Sequence, residues 1–317
     1  MYPSDSPLLV VLVGPTAVGK TELAIGLAER LGGEIVSADS RLFYRGMDIG
    51  TAKPSQNDLN RVRHHLIDVA DPSEIWSLAL FKEKAHQAIE EIHARGKQPF
   101  LVGGTGQYIR AVIEGWEMPS QAPDIKLRKV LEGWAHEIGA FYFHQKLALL
   151  DPEAAGMIDP SNVRRAVRAL EVIFWTGRRF SQQRRQKACP YRVLTVGLTR
   201  PRPELYSRID QRIDRMIQDG LIEETRALLK AGYPPDLPAL SAIGYREIIS
   251  YLSGQIPLEE AILLIKRKTR NFVRRQANWF KPDDPNIRWF TAGEKTLDEI
   301  EQYIRSGSGW ILGGRNQ

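Results

Sequence analysis

The sequence contains little of what would mark a secreted, membrane-bound or metal-rich protein. Its single cysteine, Cys189, excludes an intramolecular disulfide and a cysteine-rich metal site. The apolar segment Leu8–Val13 is far shorter than the ~20 residues that span a membrane, and no basic residue precedes it as in a secretory signal. These absences lead us to expect a cytoplasmic protein without a membrane anchor.

Positive charge is abundant but concentrated in two segments. Residues 164–187 contain eight Lys or Arg and one acidic residue, and residues 266–281 contain seven and none. Because the formal net charge of the whole chain is +6, the remainder is acidic overall. Aromatic residues such as Trp175 and Trp279 are interleaved with both runs, and this combination favours a nucleic-acid partner. Two solvent-exposed helix faces remain the alternative.

Short apolar segments alternate with helical patterns in the first hundred residues, and a further apolar segment follows near residue 192. Such alternation is typical of a parallel sheet covered by helices on both faces, so we predict an α/β fold of the P-loop type. The predicted strands are Leu8–Val13 and residues 34–36, 66–69, 100–102 and 192–198, and the predicted helices are residues 21–31, 77–95, 203–220, 222–231, 244–252 and 257–280.

A different pattern separates the two β-rich parts of the chain. Residues 117–187 show helical spacing and no convincing strand, as expected for a helical domain inserted into the core fold. We therefore predict a P-loop α/β core with a mainly helical C-terminal part, residues 1–118 and 190–317. The inserted, all-helical domain is predicted to be residues 119–189.

A phosphate-binding loop is the most recognisable local motif. Gly14–Thr21 matches G-x-x-x-x-G-K-[ST] directly after the first predicted strand and at the start of a helix, which is the context that the motif requires. Its backbone N–H groups and the helix N-terminus would bind phosphate oxygens. Lys20 would reach a terminal phosphate, and the Thr21 hydroxyl would bind Mg²⁺. The predicted phosphate contacts are Gly14, Pro15, Thr16, Ala17, Val18, Gly19, Lys20 and Thr21.

The loop does not by itself identify the compound that carries the phosphates. The motif is typical of nucleotide-binding and ATP-binding proteins, and hydrolytic members usually carry an aspartate at the end of a second strand. Here the strand at residues 100–102 continues into Gly103-Gly104-Thr105. This departure weakens the interpretation as an ATPase and leaves a kinase open.

An aspartate follows the second predicted strand. In a doubly wound sheet the carboxyl end of that strand lies beside the phosphate loop, so Asp39 is expected near the phosphates. Its position alone leaves three roles open, namely general base, metal ligand and helix cap.

The segment Asp39–Pro54 and six others carry a family resemblance. The others are Gly14–Thr21, His64–Asp68, Gly103–Tyr108, Arg164–Val172, Ala242–Glu247 and Thr269–Gln276. Together they resemble the tRNA dimethylallyltransferases, also called tRNA isopentenyl transferases, from about residue 8 to residue 290. Asp39–Pro54 is the most specific part, because the phosphate loop is shared by many unrelated enzymes.

The resemblance implies a prenyltransferase of tRNA modification and processing. Its reaction is transfer of a dimethylallyl group from dimethylallyl diphosphate to N6 of adenosine 37, next to the anticodon, in tRNAs that read codons beginning with U. The implied catalytic residues are Asp39 as general base, Thr21 as Mg²⁺ ligand and Arg212 as a diphosphate contact. Mg²⁺ is the expected cofactor, and we expect a monomer.

The resemblance also implies contacts with the anticodon stem-loop. Chemistry at N6 requires the adenine to leave its stack, so the protein has to hold the surrounding RNA, and the two basic runs supply cations for its phosphates. The expected tRNA-binding residues are Asp39, Ser40, Arg41, Leu42, Thr105, Arg128, Arg164, Arg165, Ala166, Val167, Arg168, Ser241, Ala242, Ile243, Gly244, Tyr245, Arg246, Arg274, Arg275, Gln276, Trp279 and Lys281. Trp279 could equally belong to the core, and His64 and His65 are expected to be structural.

Three other functions stay open at this point. A prenyltransferase acting on free adenine nucleotides would need neither an inserted domain nor two basic runs. A P-loop metabolite kinase would use the same loop for ATP. A non-catalytic, nucleotide-gated RNA-binding module would not require Asp39 beside the phosphates.

Overall fold

The computed structural model describes residues 6–117, 124–183 and 187–306. The chain forms two compact units, one made of Met1–Ile113 and Cys189–Gln317 and the other of Glu114–Ala188. The second unit thus begins five residues before the limit predicted from the sequence, residue 119, and ends one residue before the other limit, residue 189.

The first unit is built on a six-stranded parallel sheet. Its strands are β1 Leu8–Val13, β2 Gly33–Ser37, β3 His64–His65, β4 Gln98–Val102, β5 Arg192–Thr199 and β6 Ile287–Thr291. They lie in the order β3-β2-β4-β1-β5-β6. In the centre, Val10 of β1 pairs with Phe100 of β4 and Leu194 of β5. Residues Leu9–Val13 are fully buried, as expected for a strand covered on both faces. The predicted α/β fold is confirmed.

Helices follow the strands and cover the sheet. Ser77 caps α3, because its hydroxyl accepts a hydrogen bond from the Leu80 N–H at 3.1 Å. The helices are α1 Lys20–Leu31, α2 Gln56–Arg61, α3 Leu78–Ala94, α4 Gly106–Ile113, α5 Ile125–Ile138, α6 Ala140–Leu150, α7 Pro152–Met157, α8 Val163–Thr176, α9 Arg202–Gln218, α10 Leu221–Lys230, α11 Tyr245–Leu252, α12 Leu258–Gln276 and α13 Thr296–Arg305.

Several elements differ from the sequence-based predictions, and helices α2, α4 and α13 were not predicted. The third strand is His64–His65 rather than residues 66–69, because Leu66 and Asp68 have φ angles of 63° and 56°, which a strand does not accept. Helix α12 ends at Gln276 rather than at residue 280. Strand β6 was not predicted, and it extends the sheet by pairing with β5.

The regular secondary structure in the described part of the second unit, residues 114–117, 124–183 and 187–188, is helical. Helices α5 to α8 pack around their own apolar core, which contains Phe143, Leu147 and Leu170. A buried carboxylate, Glu171, lies at the edge of that core with 2% of its surface exposed. The unit therefore has the separate core that an independent domain requires.

Candidate active site

The phosphate-binding loop connects β1 to α1 and depends on glycine. Gly14 has a φ angle of 149°, and a Cβ there would lie 2.7 Å from the carbonyl oxygen of Leu198. Gly19, immediately before α1, has a φ angle of 110°. These conformations and the close approach to β5 exclude larger residues. The loop therefore has the shape that the motif predicted.

The side chain of Lys20 is held by backbone carbonyl groups of this loop. Its Nζ donates hydrogen bonds to the carbonyl oxygens of Gly14 at 2.9 Å and Pro15 at 2.8 Å. Burial lowers the pKa of Lys20 to about 8, the negative charge of Asp39 opposes this shift, and the positive charge of Arg212 adds to it. A partly buried lysine with a lowered pKa is a group that an anionic ligand would stabilise in its charged form.

Two arginines donate hydrogen bonds to the backbone of the phosphate-binding loop. The Nε of Arg200, just after β5, donates to the carbonyl oxygen of Val18 at 2.9 Å. The Nε of Arg208, on α9, donates to the carbonyl oxygen of Ala17 at 3.0 Å. Ala17 has a left-handed φ angle of 67°, a conformation that alanine rarely adopts, and the bond from Arg208 stabilises it. The two guanidinium groups also add positive charge near the phosphate-binding loop.

Gln276 joins the phosphate loop to the second glycine turn. Its Oε1 accepts a hydrogen bond from the Thr16 N–H at 2.9 Å, and its Nε2 donates to the Gly104 carbonyl oxygen at 3.0 Å. Only 6% of its surface is exposed, and a Cβ on Gly104 would lie 2.3 Å from Nε2. The residue was predicted as a tRNA contact, and the structure places its side chain between two loops of the core.

Asp39 follows β2 in a compact turn. Its Oδ1 accepts the Arg41 N–H at 3.0 Å, and its own N–H donates to Ser37 Oγ at 3.3 Å. The turn lies directly against the second glycine turn, because a Cβ on Gly103 would come within 2.5 Å of the Ala38 carbonyl oxygen. The structure therefore brings Asp39 to the same edge of the sheet as the phosphate loop, as the strand order predicts.

Aromatic packing fixes the far side of the Asp39 turn. Phe43 is fully buried and stacks with Phe81 and Tyr108 at centroid distances of 5.8 and 6.0 Å. Burial raises the pKa of Tyr108 to about 12, so this phenol stays neutral. A turn anchored on stacked rings has little freedom to move the carboxylate before it.

A cavity of about 810 Å³ lies between the phosphate loop, the Asp39 turn and α9. Arg212 enters it from α9, and its Nη2 donates to the Thr51 carbonyl oxygen at 3.5 Å. Burial lowers the pKa of Arg212, and Asp39 opposes that shift. The polar lining includes Lys20, Thr21, Asp39, Arg208, Arg212 and Arg215, and the apolar lining includes Ile35, Leu42, Ile49, Leu59, Ile67, Val102 and Met216. The presence of both cations and apolar side chains in one cavity suits a ligand with a polyanionic group and a hydrocarbon group.

The loop of residues 48–54 forms one wall of this cavity. Lys53, whose side chain is only 5% exposed, pairs with Asp48 and with Asp68, the latter at 2.5 Å. Glu224 on α10 accepts hydrogen bonds from three successive backbone N–H groups of the loop. Neither Lys53 nor Glu224 was predicted as a site residue from the sequence, and Glu224 contacts the loop from 174 to 176 positions away.

The Asp39 turn also contacts the segment predicted to bind tRNA near residue 241. Arg41 donates through Nη1 to the carbonyl oxygens of Pro238 and Ala239 at 2.9 and 3.1 Å, and through Nη2 to Ser241 Oγ at 3.4 Å. Of the predicted segment 241–246, Ser241 and Arg246 are exposed and Ile243 is partly exposed, while Ala242, Gly244 and Tyr245 are buried. The buried residues shape this surface from beneath.

The end of α12 presents cations on the first unit. Arg274, Arg275 and Lys281 are exposed. Trp279 is partly buried, because its side chain covers the start of α4, where a Cβ on Gly106 would lie 2.3 Å from it. The neighbouring Thr105 is partly exposed. This part of the predicted tRNA surface therefore combines three cations with one partly accessible ring.

Ser40, beside Asp39, is partly exposed, and the remaining predicted tRNA contacts lie in the second unit. Arg164 and Arg165 are exposed on α8, whereas Ala166 and Val167 are buried in that unit's core. Arg128 and Arg168 donate to Glu171 Oε2 at 2.6 and 2.9 Å. Burial alone would raise the pKa of Glu171, but these two hydrogen bonds outweigh it and hold the pKa below its usual value. Glu171 thus fixes the two arginines in place. Residues 184–186 of the basic run lie outside the described residues.

The two histidines have different surroundings. His65 Nε2 lies 2.7 Å from Glu34 Oε2, a buried carboxylate that also pairs with Arg95 at 2.7 Å. His64 Nδ1 lies 2.8 Å from the Val62 carbonyl oxygen, and its side chain lines the cavity. Burial lowers the pKa of His64. His65 is therefore tied into the sheet edge, and His64 is the one that faces the site.

In residues 6–117, 124–183 and 187–306, no helix is both long enough and apolar enough to cross a membrane. Within those same ranges, no three His, Cys, Asp or Glu side chains are grouped as a metal site would require.

Comparisons with known proteins converge on one family. Residues 42–283 match the family model described as IPP transferase. A tRNA dimethylallyltransferase of Thermomicrobium roseum is 49% identical over 305 residues, covering 95% of this chain and 92% of the relative.

Two solved structures of similar fold carry names from the same family. The crystal structure of the full-length tRNA isopentenylpyrophosphate transferase from Bacillus halodurans has a TM-score of 0.72 and 42% identity, and the match covers 98% of this chain and 100% of that one. A eukaryotic dimethylallyltransferase, captured in crystallographic snapshots acting on tRNA, has a TM-score of 0.79 and 26% identity over 98% of this chain and 81% of that one.

Proposed function

Because the chain belongs to the IPP transferase family and has the tRNA dimethylallyltransferase activity of its relatives, we propose that it transfers a dimethylallyl group from dimethylallyl diphosphate to N6 of adenosine 37. The observation that carries the proposal is the meeting of Gly14–Thr21, Asp39 and Arg212 around one cavity. A metabolite kinase would use the same loop, but it leaves the second, helical unit and the exposed cations of α12 without a role.

The polar part of the cavity would hold the diphosphate. The backbone N–H groups at the start of α1 and the helix N-terminus suit phosphate oxygens. Lys20 and Arg212 add two partly buried charges. When the bond between the allylic carbon and oxygen breaks, the electron pair leaves with the diphosphate, and fixed cations stabilise that developing charge.

Asp39 would accept the proton from the nucleophile. The N6 amine of adenine forms the new bond to the allylic carbon, and the nitrogen must lose a proton. The Asp39 carboxylate lines the cavity beside Lys20 and Arg212, with one oxygen oriented by the Arg41 N–H. The proton from N6 would therefore end on this carboxylate.

The residues present fit a magnesium ion that is bound mainly through the substrate. Thr21 is exposed in the first turn of α1 and lines the cavity. Mg²⁺ usually retains several water ligands and binds through one or two protein groups and substrate phosphates. Thr21 would hold it, and the ion would neutralise charge on the leaving diphosphate.

The exposed cations of each unit would bind phosphates of the anticodon stem-loop. Arg164 and Arg165 lie on the second unit, and Arg274, Arg275 and Lys281 lie on the first. Phosphate contacts of this kind hold RNA without reading its sequence. A tRNA substrate and a single free cysteine both suit a cytoplasmic enzyme.

The proposal is tested by incubating the purified protein with Mg²⁺, dimethylallyl diphosphate and a tRNA that carries adenosine 37. We expect a prenylated adenosine 37 by mass spectrometry of the digested tRNA. Modification of free AMP with no change in the tRNA would favour the free-nucleotide prenyltransferase instead.

Asp39→Asn tests the proton acceptor within the same assay. The amide keeps the shape of the side chain but is not a base, so the rate of transfer should fall by about 10²- to 10⁴-fold while tRNA affinity is kept. Asp39→Ala should behave in the same way. A variant that loses tRNA binding but retains the chemical rate would contradict the assignment.

A further inference from the structure

The carboxylate of Glu224 has an unusual set of partners. Oε2 accepts the N–H groups of Asp48 at 2.9 Å and Ile49 at 2.8 Å, and Oε1 accepts the Gly50 N–H at 3.1 Å. Oε1 also accepts the hydroxyl of Tyr245 at 2.6 Å. Each oxygen therefore takes two donors, and three successive backbone N–H groups converge on one side chain, as they do around bound anions.

The loop that receives Glu224 is closely packed. A Cβ on Gly50 would lie 2.5 Å from the Tyr245 ring and 2.9 Å from Leu221. Tyr245 is fully buried, so its ring cannot move aside for a larger side chain at residue 50. Within the loop, the Lys53 N–H donates to the Asp48 carbonyl oxygen at 3.0 Å. The loop is thus one compact turn whose position is set by α10 and α11.

The opposite side of this turn belongs to the active site. Asp48, Ile49, Thr51 and other residues of the loop line the cavity, and the Thr51 carbonyl oxygen accepts the guanidinium of Arg212. A displacement of the turn would therefore move both a cavity wall and the acceptor that orients Arg212. Glu224 itself is absent from the cavity lining.

From this geometry we infer that Glu224 is a positioning residue, which holds the Asp48–Lys53 turn so that Arg212 and the cavity wall meet the prenyl diphosphate. The inference rests on the proposed function for the identity of that ligand. A carboxylate outside the cavity thus determines how well a diphosphate is bound inside it.

The test compares Glu224→Ala, Glu224→Gln and Tyr245→Phe with a matched control, Glu223→Gln. Glu223 is the preceding residue on α10, is exposed, and pairs only distantly with Arg226, at 3.6 Å. Glu224→Ala should lower kcat/KM for dimethylallyl diphosphate by about 10- to 100-fold, since displacements near 1 Å have effects of that size. The loss should appear mainly as a higher KM, with tRNA affinity unchanged.

The milder variants keep the test informative if Glu224→Ala does not fold. Glu224→Gln retains one acceptor oxygen and should show an intermediate loss. Tyr245→Phe removes one hydrogen bond and should lower kcat/KM by about threefold. Equal KM values in Glu224→Gln, Tyr245→Phe and the Glu223→Gln control would overturn the inference.

Binding of inorganic pyrophosphate with Mg²⁺, measured by calorimetry, separates this inference from the proposed function. If wild-type protein fails to modify tRNA, the proposed function fails, but weaker pyrophosphate binding in Glu224→Gln than in the control would still support the positioning role. Amide hydrogen exchange should also accelerate at Asp48–Gly50 and not in β1. Unchanged pyrophosphate affinity and unchanged exchange would refute it.

Discussion

Replacing Gln276 by leucine should weaken both the fold and the phosphate site. Leucine has a similar volume, so the change leaves little cavity and mainly removes two hydrogen bonds, to the Thr16 N–H and the Gly104 carbonyl oxygen. An unpartnered buried polar group costs about 1–3 kcal/mol. Because Thr16 is only partly buried, we expect the free energy of unfolding to fall by about 2–4 kcal/mol.

Urea unfolding measures the first part of this prediction, and pyrophosphate calorimetry measures the second. The midpoint should move to lower urea at an unchanged slope. Pyrophosphate affinity should fall about tenfold, because the Thr16 N–H that Gln276 holds lies within the phosphate-binding loop. The matched control is Gln255→Leu, the same change at an exposed glutamine, which should alter stability by less than about 0.5 kcal/mol.

A second substitution at the same position gives a result with a defined sign. Gln276→Glu keeps an acceptor for the Thr16 N–H but turns a second oxygen toward the Gly104 carbonyl oxygen. Only the protonated acid can donate there, so the folded-state pKa of the new carboxyl should be raised. The loss of stability should be full above that pKa and recover as the pH falls through it. If Gln276→Leu unfolds like Gln255→Leu and binds pyrophosphate like wild type, Gln276 does not hold the loop.

Two further predictions concern charge. The pKa of Lys20 is lowered to about 8, and a bound diphosphate should raise it again. Pyrophosphate binding should therefore take up protons above pH 8 and weaken as the pH rises. Calorimetry in buffers of different ionisation enthalpy measures the proton uptake, and equal uptake by Lys20→Met would contradict the prediction. Arg164→Ala and Arg274→Ala should each weaken tRNA binding and reduce the slope of log affinity against log salt by about 1. Lys230→Ala, at an exposed lysine of α10, is the control, and an equal slope in all three variants would exclude phosphate contacts at Arg164 and Arg274.

The parts of the site that could be predicted are those encoded by neighbouring residues. The phosphate loop requires a strand, a glycine turn and a helix start within fourteen positions, Leu8–Thr21, and the structure has all three there. Asp39 could be located because parallel strands end at one edge of a sheet. In both cases the local pattern and the strand order were sufficient.

The parts that could not be predicted depend on residues far apart in the chain. Gln276 bonds to Thr16 across 260 positions, and Glu224 bonds to Gly50 across 174. No local pattern encodes either pairing. The error in β3 has a different cause, since two non-glycine residues with positive φ angles, Leu66 and Asp68, end the strand, and such conformations have little sequence signature outside glycine.

The end of β4 distinguishes this protein from hydrolytic enzymes that share the phosphate-loop motif. Hydrolytic relatives of the motif carry a carboxylate at the end of a second strand, and here that position is Gly103-Gly104. Neither glycine has room for a side chain, because a Cβ would lie 2.5 Å from the Ala38 carbonyl oxygen or 2.3 Å from Gln276 Nε2. The space where a carboxylate would hold the metal ion is thus filled by backbone and an amide. The carboxylate that is present, Asp39, lies one strand further along, at the end of β2. A base in that place would accept a proton from a nucleophile that enters the cavity, while the loop retains the leaving diphosphate.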